Sequence, residues 1–348
     1  MQALITGGMG WLGQNLVQCL LKDPDKTDVP NLIQEVSNVR CLTLPGQDTA
    51  QAKESHPDID VVEGDIRNPD DCKRFMAETE DAVLFHIAGI IHPRKVRDFY
   101  EINVEGTRNL LNAAAEANFR RAVIMSSNSP CGCNPRRDHL FDESSPYNPY
   151  MNYGKSKMQM ELMVKEFQVA GSIETVLIRS PWFYGPFQPP RQLTFFNMIK
   201  DGKAPIVGGG ENMRSMAYVD NICQGLILAA VTERANGEIY WIADEHPYSM
   251  NEVVDTVERL LETEFDIVCA HNRLRLPGIV SEMALVIDKL IQATGLYHQK
   301  FHVLSEMNKT IACSISKAKE DLGYRPHIDL EEGMRRSLQW LRNTNGQI

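Results

Sequence analysis

Short apolar runs alternate with longer stretches of helical period along the first half of the chain. Ala3-Leu4-Ile5-Thr6 reads as a strand that runs into glycines, and a helical stretch follows from Trp11 to Leu21. Further strand candidates are Val39 to Thr43, Asp60 to Glu63, Ala82 to His86, Ala122 to Met125 and Thr175 to Ile178. Between them the spacing predicts helices over Pro69 to Glu78, Val104 to Ala117 and Tyr153 to Phe167. In the last of these, Met158, Leu162, Met163 and Phe167 recur as one packed face. Strands that are apolar throughout, alternating with helices, are covered on both faces by those helices. Right-handed crossovers then predict an α/β fold, a Rossmann-type doubly wound parallel sheet.

After Arg179 the texture changes. Pro181, Pro186, Pro189 and Pro190 interrupt the alternation, and Gly208-Gly209-Gly210 reads as a turn. Residues 1–179 are therefore expected to form the sheet domain, with returns to it near Met216 to Ala230 and Ile239 to Ala243. Residues 180–348 are expected to be mainly a smaller, irregular lobe. Asp23 to Asn38 lengthens the first crossover and is expected as surface loop and helix. Leu276 to Ile291 carries Glu282, Asp288 and Lys289, so it reads as an amphipathic helix. No window reaches the ~18 uninterrupted apolar residues of a membrane span.

Composition narrows the partners. At roughly 150 residues per domain, 348 residues suggest two domains, or one large domain with a satellite. Asp plus Glu number 46 against 36 Lys plus Arg, a formal charge of −10. Binders of nucleic acid or anionic membranes carry the opposite bias. The cluster Arg94, Lys95 and Arg97 reads as a solvated helix start. Eight cysteines do not make a disulfide scaffold, and Cys131 and Cys133 have no second pair at zinc-ligand spacing, so no metal is expected. With no signal-peptide pattern at the start, this predicts a reducing, cytoplasmic setting.

Chemistry enters at the first glycines. Thr6-Gly7-Gly8-Met9-Gly10-Trp11-Leu12-Gly13 stands between the first strand and the first helix. Missing side chains at Gly7, Gly10 and Gly13 permit a tight turn, close backbone approach to a pyrophosphate, and close helix–sheet packing. Helix-start amides, with those of Trp11 and Leu12 among them, then favour the anion. At the end of the second strand, where an acid would bind the ribose of NAD or an arginine the phosphate of NADP, the chain has Thr43 and Leu44. No cation occurs between Thr43 and Ala52. An uncompensated phosphate dianion there would be costly, so NAD is preferred over NADP. Asp65 and Ile66 follow the third strand, where Asp65 is a candidate acceptor for the adenine amino group.

Tyr153 and Lys157 lie at i and i+4, one above the other on a helix face. A tyrosine with an ordinary pKa near 10 is a poor base at neutral pH. A neighbouring ammonium and a positive nicotinamide ring are expected to lower it. Ser126-Ser127 ends the apolar strand Ala122 to Met125, at the strand end where open α/β sheets bind ligands.

These motifs together resemble the extended short-chain dehydrogenase/reductase family, over nearly the whole chain. The resemblance rests on Gly7, Gly10 and Gly13, on His86-Ile87-Ala88-Gly89, on Asn103-Val104-Glu105-Gly106-Thr107, and on Ser127, Tyr153 and Lys157 in that order. It implies that Tyr153 is the general acid/base, that Lys157 binds the nicotinamide ribose and lowers the Tyr153 pKa, and that Ser127 orients the reacting C–O group. It also places Ala88, Gly89 and Asn103 at the cofactor, and implies a homodimer through the helices Val104 to Ala117 and Tyr153 to Phe167. His86 reads as a buried packing residue beside the cofactor.

The family spans several reactions. Its sugar-nucleotide dehydratases have an Asp-Glu pair after the active-site Ser or Thr, where this chain has Asn128-Ser129. Its epimerases tend to carry Asn where this chain has Trp182, an aromatic that suits an apolar substrate, as in the 3β-hydroxysteroid dehydrogenase-like branch. Tyr218-Val219-Asp220-Asn221 resembles that branch too. Arg214 stands where epimerases keep a phosphate-binding arginine; a surface or interdomain salt bridge is its other reading. His271 to Val303 offers apolar surface suited to a cover over a lipophilic substrate, to core, or to a dimer contact. The expectation is an NAD(P)-dependent oxidoreductase interconverting a secondary alcohol and a ketone on a largely apolar small-molecule substrate, with Arg214 there to meet an anionic group if it carries one, and with Ser127, Asn128, Trp182 and Arg214 as its contacts. The alternatives are a nucleotide-sugar 4-epimerase with tightly bound NAD, and a non-catalytic dinucleotide-sensing or scaffold protein.

Overall fold

The computed structural model describes residues 1–21, 36, 38–79 and 81–345. The loop and helix expected over Asp23 to Asn38 fall almost wholly outside the described residues. Strand β1 (Gln2–Thr6) leads into α1 (Trp11–Leu20), β2 (Asn38–Thr43), α2 (Ala50–Ser55), β3 (Asp60–Glu63), α3 (Pro69–Met76) and β4 (Val83–His86). Then come α4 (Val96–Tyr100), a π-helical turn over Glu101–Gly106, α5 (Thr107–Glu116), β5 (Arg121–Ser127), α6 (Met151–Ala170) and β6 (Glu174–Ser180). Local chemistry sets several of these ends. Asn68 caps α3 by accepting from the Asp70 amide ahead of Pro69. Gly171, at φ +65°, closes α6.

Beyond β6 the elements shorten. They are β7 (Trp182–Tyr184), α7 (Pro190–Lys200), β8 (Pro205–Val207), β9 (Met213–Arg214), β10 (Met216–Tyr218), α8 (Val219–Val231) and β11 (Ile239–Trp241), followed by β12 (Tyr248–Ser249), α9 (Met250–Glu264) and β13 (Leu274–Leu276). The chain ends in four helices, α10 (Ile279–Ala293), α11 (Gln299–Glu306), α12 (Ser316–Leu322) and α13 (Leu330–Asn345).

Seven parallel strands form the central sheet in the order β11-β6-β5-β4-β1-β2-β3. The chain starts in the middle, moves outward to β3 and returns to β4, so the switch point lies between β1 and β4. Alternation of side chains across each strand feeds two cores. Ala3, Ile5, Val83 and Phe85 pack with α1 and α8, while Leu4 and Leu84 pack with α3, α5 and α6. A third core gathers α7, α9 and α13 around Phe196, Val257 and Leu338.

Near the expected returns to the sheet, two segments differ in their pairing. Ile239–Trp241 joins it as β11, but Met216–Tyr218 pairs with Trp182–Tyr184 in a separate two-stranded ribbon. What returns after Met216 is helix α8, whose Ile222 and Leu226 cover the sheet. All eight cysteines are free. No helix among the described residues is long and apolar enough to cross a membrane.

Glu161, fully buried on α6, joins three elements. Its carboxylate accepts from Ser126 Oγ on β5 at 2.5 Å, from Arg179 Nη2 and Nε on β6 at 2.7 and 3.1 Å, and from the Tyr147 hydroxyl at 2.9 Å. Arg179 is itself buried, so each charge depends on the other for compensation. Glu161→Gln is expected to lower the free energy of unfolding by about 3 kcal/mol in urea titration, with a paired apolar replacement of Glu161 and Arg179 recovering much of the loss.

Candidate active site

The ends of β1, β4 and β5 put the predicted groups along one edge of the sheet. Gly7 has φ +75°, and a side chain there would press on the Ala88 backbone nitrogen at 3.0 Å. At Gly13 a Cβ would fall 2.0 Å from the Gly7 carbonyl oxygen, so α1 meets the loop closely only without one. Gly10 is the N-cap of α1 and supplies no capping side chain. First-turn amides are thereby left for an anion, as a pyrophosphate cradle requires. Leu12 is buried in the first core. The Trp11 indole points elsewhere: it donates to the Gly185 carbonyl at 3.1 Å and packs 4.8 Å from the Phe183 ring. Asn15, which the motif did not single out, donates to the Trp11 and Pro186 carbonyls. Trp11 and Asn15 thus tie the cradle to the second lobe.

At the end of β2 the Thr43 hydroxyl is buried and has no hydrogen-bond partner among the described residues. An orphaned hydroxyl fits a ribose oxygen as its missing partner. Asp65 takes the Arg67 guanidinium with both carboxylate oxygens, at 2.6 to 3.1 Å, and this pairing holds its carboxyl below the usual range. The expected adenine acceptor is thus already shared with a cation. Ile66 is buried against Gly106.

Asn103 sits in the π-helical turn, which replaces the first residues of the helix expected from Val104. Both ends of its amide go to the Ile90 backbone, at 2.9 and 3.1 Å, and its nitrogen also reaches Ser156 Oγ at 3.2 Å. That makes it a strut for the loop after β4, where a cofactor contact was expected. A side chain at Gly89 would approach Asn103 Oδ1 at 3.2 Å and Lys157 Nζ at 3.5 Å, so Gly89 keeps this corner open. His86 bridges Thr6 Oγ1 and Thr107 Oγ1 at 2.7 Å each, and burial lowers its pKa to about 3, with the Lys157 charge adding to the shift. It is neutral and committed to packing.

Ser127 and Tyr153 come together closely enough for the Ser127 hydroxyl to act on the phenol. Ser127 Oγ donates to Asn128 Oδ1 at 3.2 Å and accepts from the Ser129 amide at 3.3 Å. Burial raises the Tyr153 pKa to about 12; the nearby Ser127 hydroxyl opposes this, and the Glu306 charge adds to it. The expected lowering by Lys157 is absent. Lys157 Nζ instead donates to the Met125 carbonyl at 2.9 Å and to Met160 Sδ at 3.5 Å. Burial pulls its pKa down to about 8, against the opposing pull of Glu161. The ammonium serves the strand end and the Gly89 corner, and it does not acidify the phenol.

Aromatic rings pack beside Tyr153. Phe99 lies 5.8 Å from the Tyr153 ring, and Tyr297 meets Phe99 edge-on at 5.4 Å. Trp182 packs edge-on against Phe195 in the third core. Arg214 makes no salt bridge among the described residues. Nη2 donates to the Glu306 backbone carbonyl, Nε is buried without a partner among the described residues, and burial lowers its pKa while the Glu306 charge opposes the shift. Glu306 acts on both Tyr153 and Arg214. Nothing in its sequence surroundings marks it.

Residues 3–243 match the NAD dependent epimerase/dehydratase family. The uncharacterized protein y4nL of Sinorhizobium fredii is 49% identical over 348 residues, 99% of this chain and 96% of that one. A 3-beta-hydroxysteroid dehydrogenase of Mycolicibacterium neoaurum is 28% identical, with 97% and 91% covered. Other relatives bear the names of sugar epimerases and dehydratases. Among solved structures, DesIV of Streptomyces venezuelae, a dTDP-glucose 4,6-dehydratase with NAD and TYD bound, superposes with a TM-score of 0.75 at 25% identity, covering 99% of this chain and 98% of that one.

His86 gives a pH test. Its ordinary value of 6.5 applies to the unfolded chain and about 3 to the folded one, so below pH 6.5 protons favour unfolding. The difference in urea midpoint between the protein and His86→Asn should shrink as pH falls from 6.5 toward 3, and stay constant above 6.5. A second test concerns the cradle: Gly13→Ala should abolish dinucleotide binding measured by calorimetry.

Proposed function

The chain belongs to the NAD dependent epimerase/dehydratase family, and we propose that it is an oxidoreductase interconverting a secondary alcohol and a ketone on a largely apolar substrate that carries an anionic group. The observation that carries this reading is the Ser127 hydroxyl acting on a Tyr153 phenol whose ring packs with Phe99, itself against Tyr297. A hydroxyl bound by the pair would lie against aromatic carbon, which suits a ring-bearing apolar substrate. The two positions after Ser127 are Asn128 and Ser129, where dehydratases of the family carry an acid pair, and this weighs against dehydration. The unpartnered Nε of Arg214 suits a carboxylate or phosphate on the same substrate.

NAD is the cofactor that Thr43 favours, since a neutral hydroxyl accommodates ribose oxygens and not a further phosphate. When bound, the nicotinamide supplies the hydride acceptor or donor. Ser127 holds the substrate oxygen, and Tyr153 takes or gives its proton. A phenol near 12 is protonated at neutral pH, so in the free protein it is ready as the acid for ketone reduction. For alcohol oxidation it must first lose that proton. Lys157, positioned between the Met125 carbonyl and Gly89, would hold the nicotinamide ribose, with Glu161 one turn on sustaining its charge.

Incubation with NAD and a panel of hydroxysteroids or similar alcohols should generate NADH. Tyr153→Phe should lower kcat by about a thousandfold with NAD binding retained. Oxidation should accelerate as pH rises toward 8, and the KM for NAD should climb above about 8 as Lys157 loses its proton. Inversion of a UDP-sugar at C4 without net NADH would replace this reading with the epimerase. Dinucleotide binding with no turnover on any carbonyl or alcohol would replace it with a sensor.

A further inference from the structure

Helix α10 is amphipathic in the wrong sense for water. Its buried stripe is Ser281, Ala284, Asp288 and Gln292, one residue per turn on a single face. Its exposed stripe is Ile279, Met283, Val286, Ile287 and Leu290, with Ile279 63% and Leu290 65% exposed. A surface helix of a soluble protein places these stripes the other way round. The inward polar groups are tied into the fold, with only Asp288 Oδ1 lacking a partner among the described residues. Ser281 Oγ donates to the Leu304 and Ser305 carbonyls at 2.8 and 2.9 Å. Asp288 Oδ2 accepts from Gln292 Nε2 at 3.0 Å and pairs with His302 Nδ1 at 2.9 Å. Gln292 Oε1 accepts from Asn152 Nδ2 at 2.8 Å. The helix therefore cannot roll to hide its apolar side without breaking this buried network.

Neighbouring segments extend the same character. Leu296 is 54% exposed, and it bridges to Lys95 through backbone pairing that also joins Val96 N to the Gly295 carbonyl. Ile91 and Val303 are exposed as well. Around these residues Arg94, Lys95, Lys289 and Lys300 are exposed and show no ion pair among the described residues. Of the nearby acids, Glu282 is held by Lys309 and Asn308, and Asp288 faces inward. A chain of net charge −10 thus presents exposed cations beside its exposed apolar side chains, with Lys289 also acting on Glu282.

We propose that this face, α10 with the flanking segments at Ile91–Lys95 and Leu296–Lys300, docks on the surface of a lipid bilayer containing anionic headgroups. An apolar stripe rimmed by cations is what an in-plane helix offers such a surface: side chains enter the acyl boundary while lysines meet phosphates. At 15 residues α10 is about 22 Å long, and its other face is tied to the protein, so it lies on the bilayer and does not span it. A second copy of the chain fits less well, because a two-fold contact brings the same cations of both copies together. The face adjoins the candidate active site, since Gln292 holds Asn152 beside Tyr153. An apolar substrate would reach the Phe99 and Tyr297 rings from the lipid. That last step rests on the function proposed above, whereas the docking does not.

The test is flotation of the full chain with phosphatidylcholine vesicles, with and without phosphatidylglycerol, read as bound protein and not as turnover. The protein should float with the phosphatidylglycerol vesicles, less so as salt rises. Met283→Ser with Leu290→Ser should reduce binding about tenfold or more, and so should Lys289→Glu with Lys300→Glu. Because these side chains are exposed, thermal unfolding of the variants should match that of the parent. Failure to float, or binding that the substitutions leave unchanged, overturns the proposal. So does sedimentation equilibrium in which Met283→Ser with Leu290→Ser converts a dimer to a monomer while vesicle binding is absent, which assigns the face to a second copy.

Discussion

The candidate site depends on one helix face held at one depth. Tyr153, Lys157 and Glu161 recur at i, i+4 and i+8 along α6, so fixing any one of them fixes the others. Glu161 is the anchor: its carboxylate, buried and bonded to Ser126, Arg179 and Tyr147, docks α6 onto the ends of β5 and β6. From that anchor Lys157 reaches the Met125 carbonyl at the end of β5, and Tyr153 reaches Ser127. The chemistry at one end of the helix face is set by an ion pair two turns away.

The same geometry divides labour between the tyrosine and the lysine. Lys157 keeps its ammonium against the strand end and the open corner at Gly89. The Tyr153 phenol answers to Ser127, to burial and to Glu306. In the protein without dinucleotide the balance favours the protonated phenol. Among the described residues no cation bears on the ring, so a lowering during oxidation is expected from a positive group that arrives with the cofactor.

Much of the fold was legible because strands buried on both faces must be apolar throughout, and the glycines mark close approaches that other residues would block. Gly13 is the clearest case, with the Gly7 carbonyl where a Cβ would stand. Other features left no such mark. Glu161 is a charged residue on a long helix and looks like surface until β6 supplies Arg179. The π-helical turn at Asn103 has no spacing signature, and its strut role depends on the Ile90 backbone. Arg214 meets a backbone carbonyl in place of a carboxylate side chain of the protein, which no motif reveals. Periodicity found the apolar stripe of α10 but not the side it faces, because the buried partners of Asp288 and Gln292 come from distant segments. The overall charge of −10 likewise hid the local cations at Lys289 and Lys300.

The most direct measurement is the ionisation of Tyr153 itself, followed by carbon NMR of the labelled phenol ring with Tyr153→Phe to assign the signal. The phenol should titrate above the ordinary 10, at about 12 in the free protein, and its pKa should fall when NAD binds. A phenol that titrates at or below its ordinary value in the free protein, unchanged by NAD, would contradict that expectation.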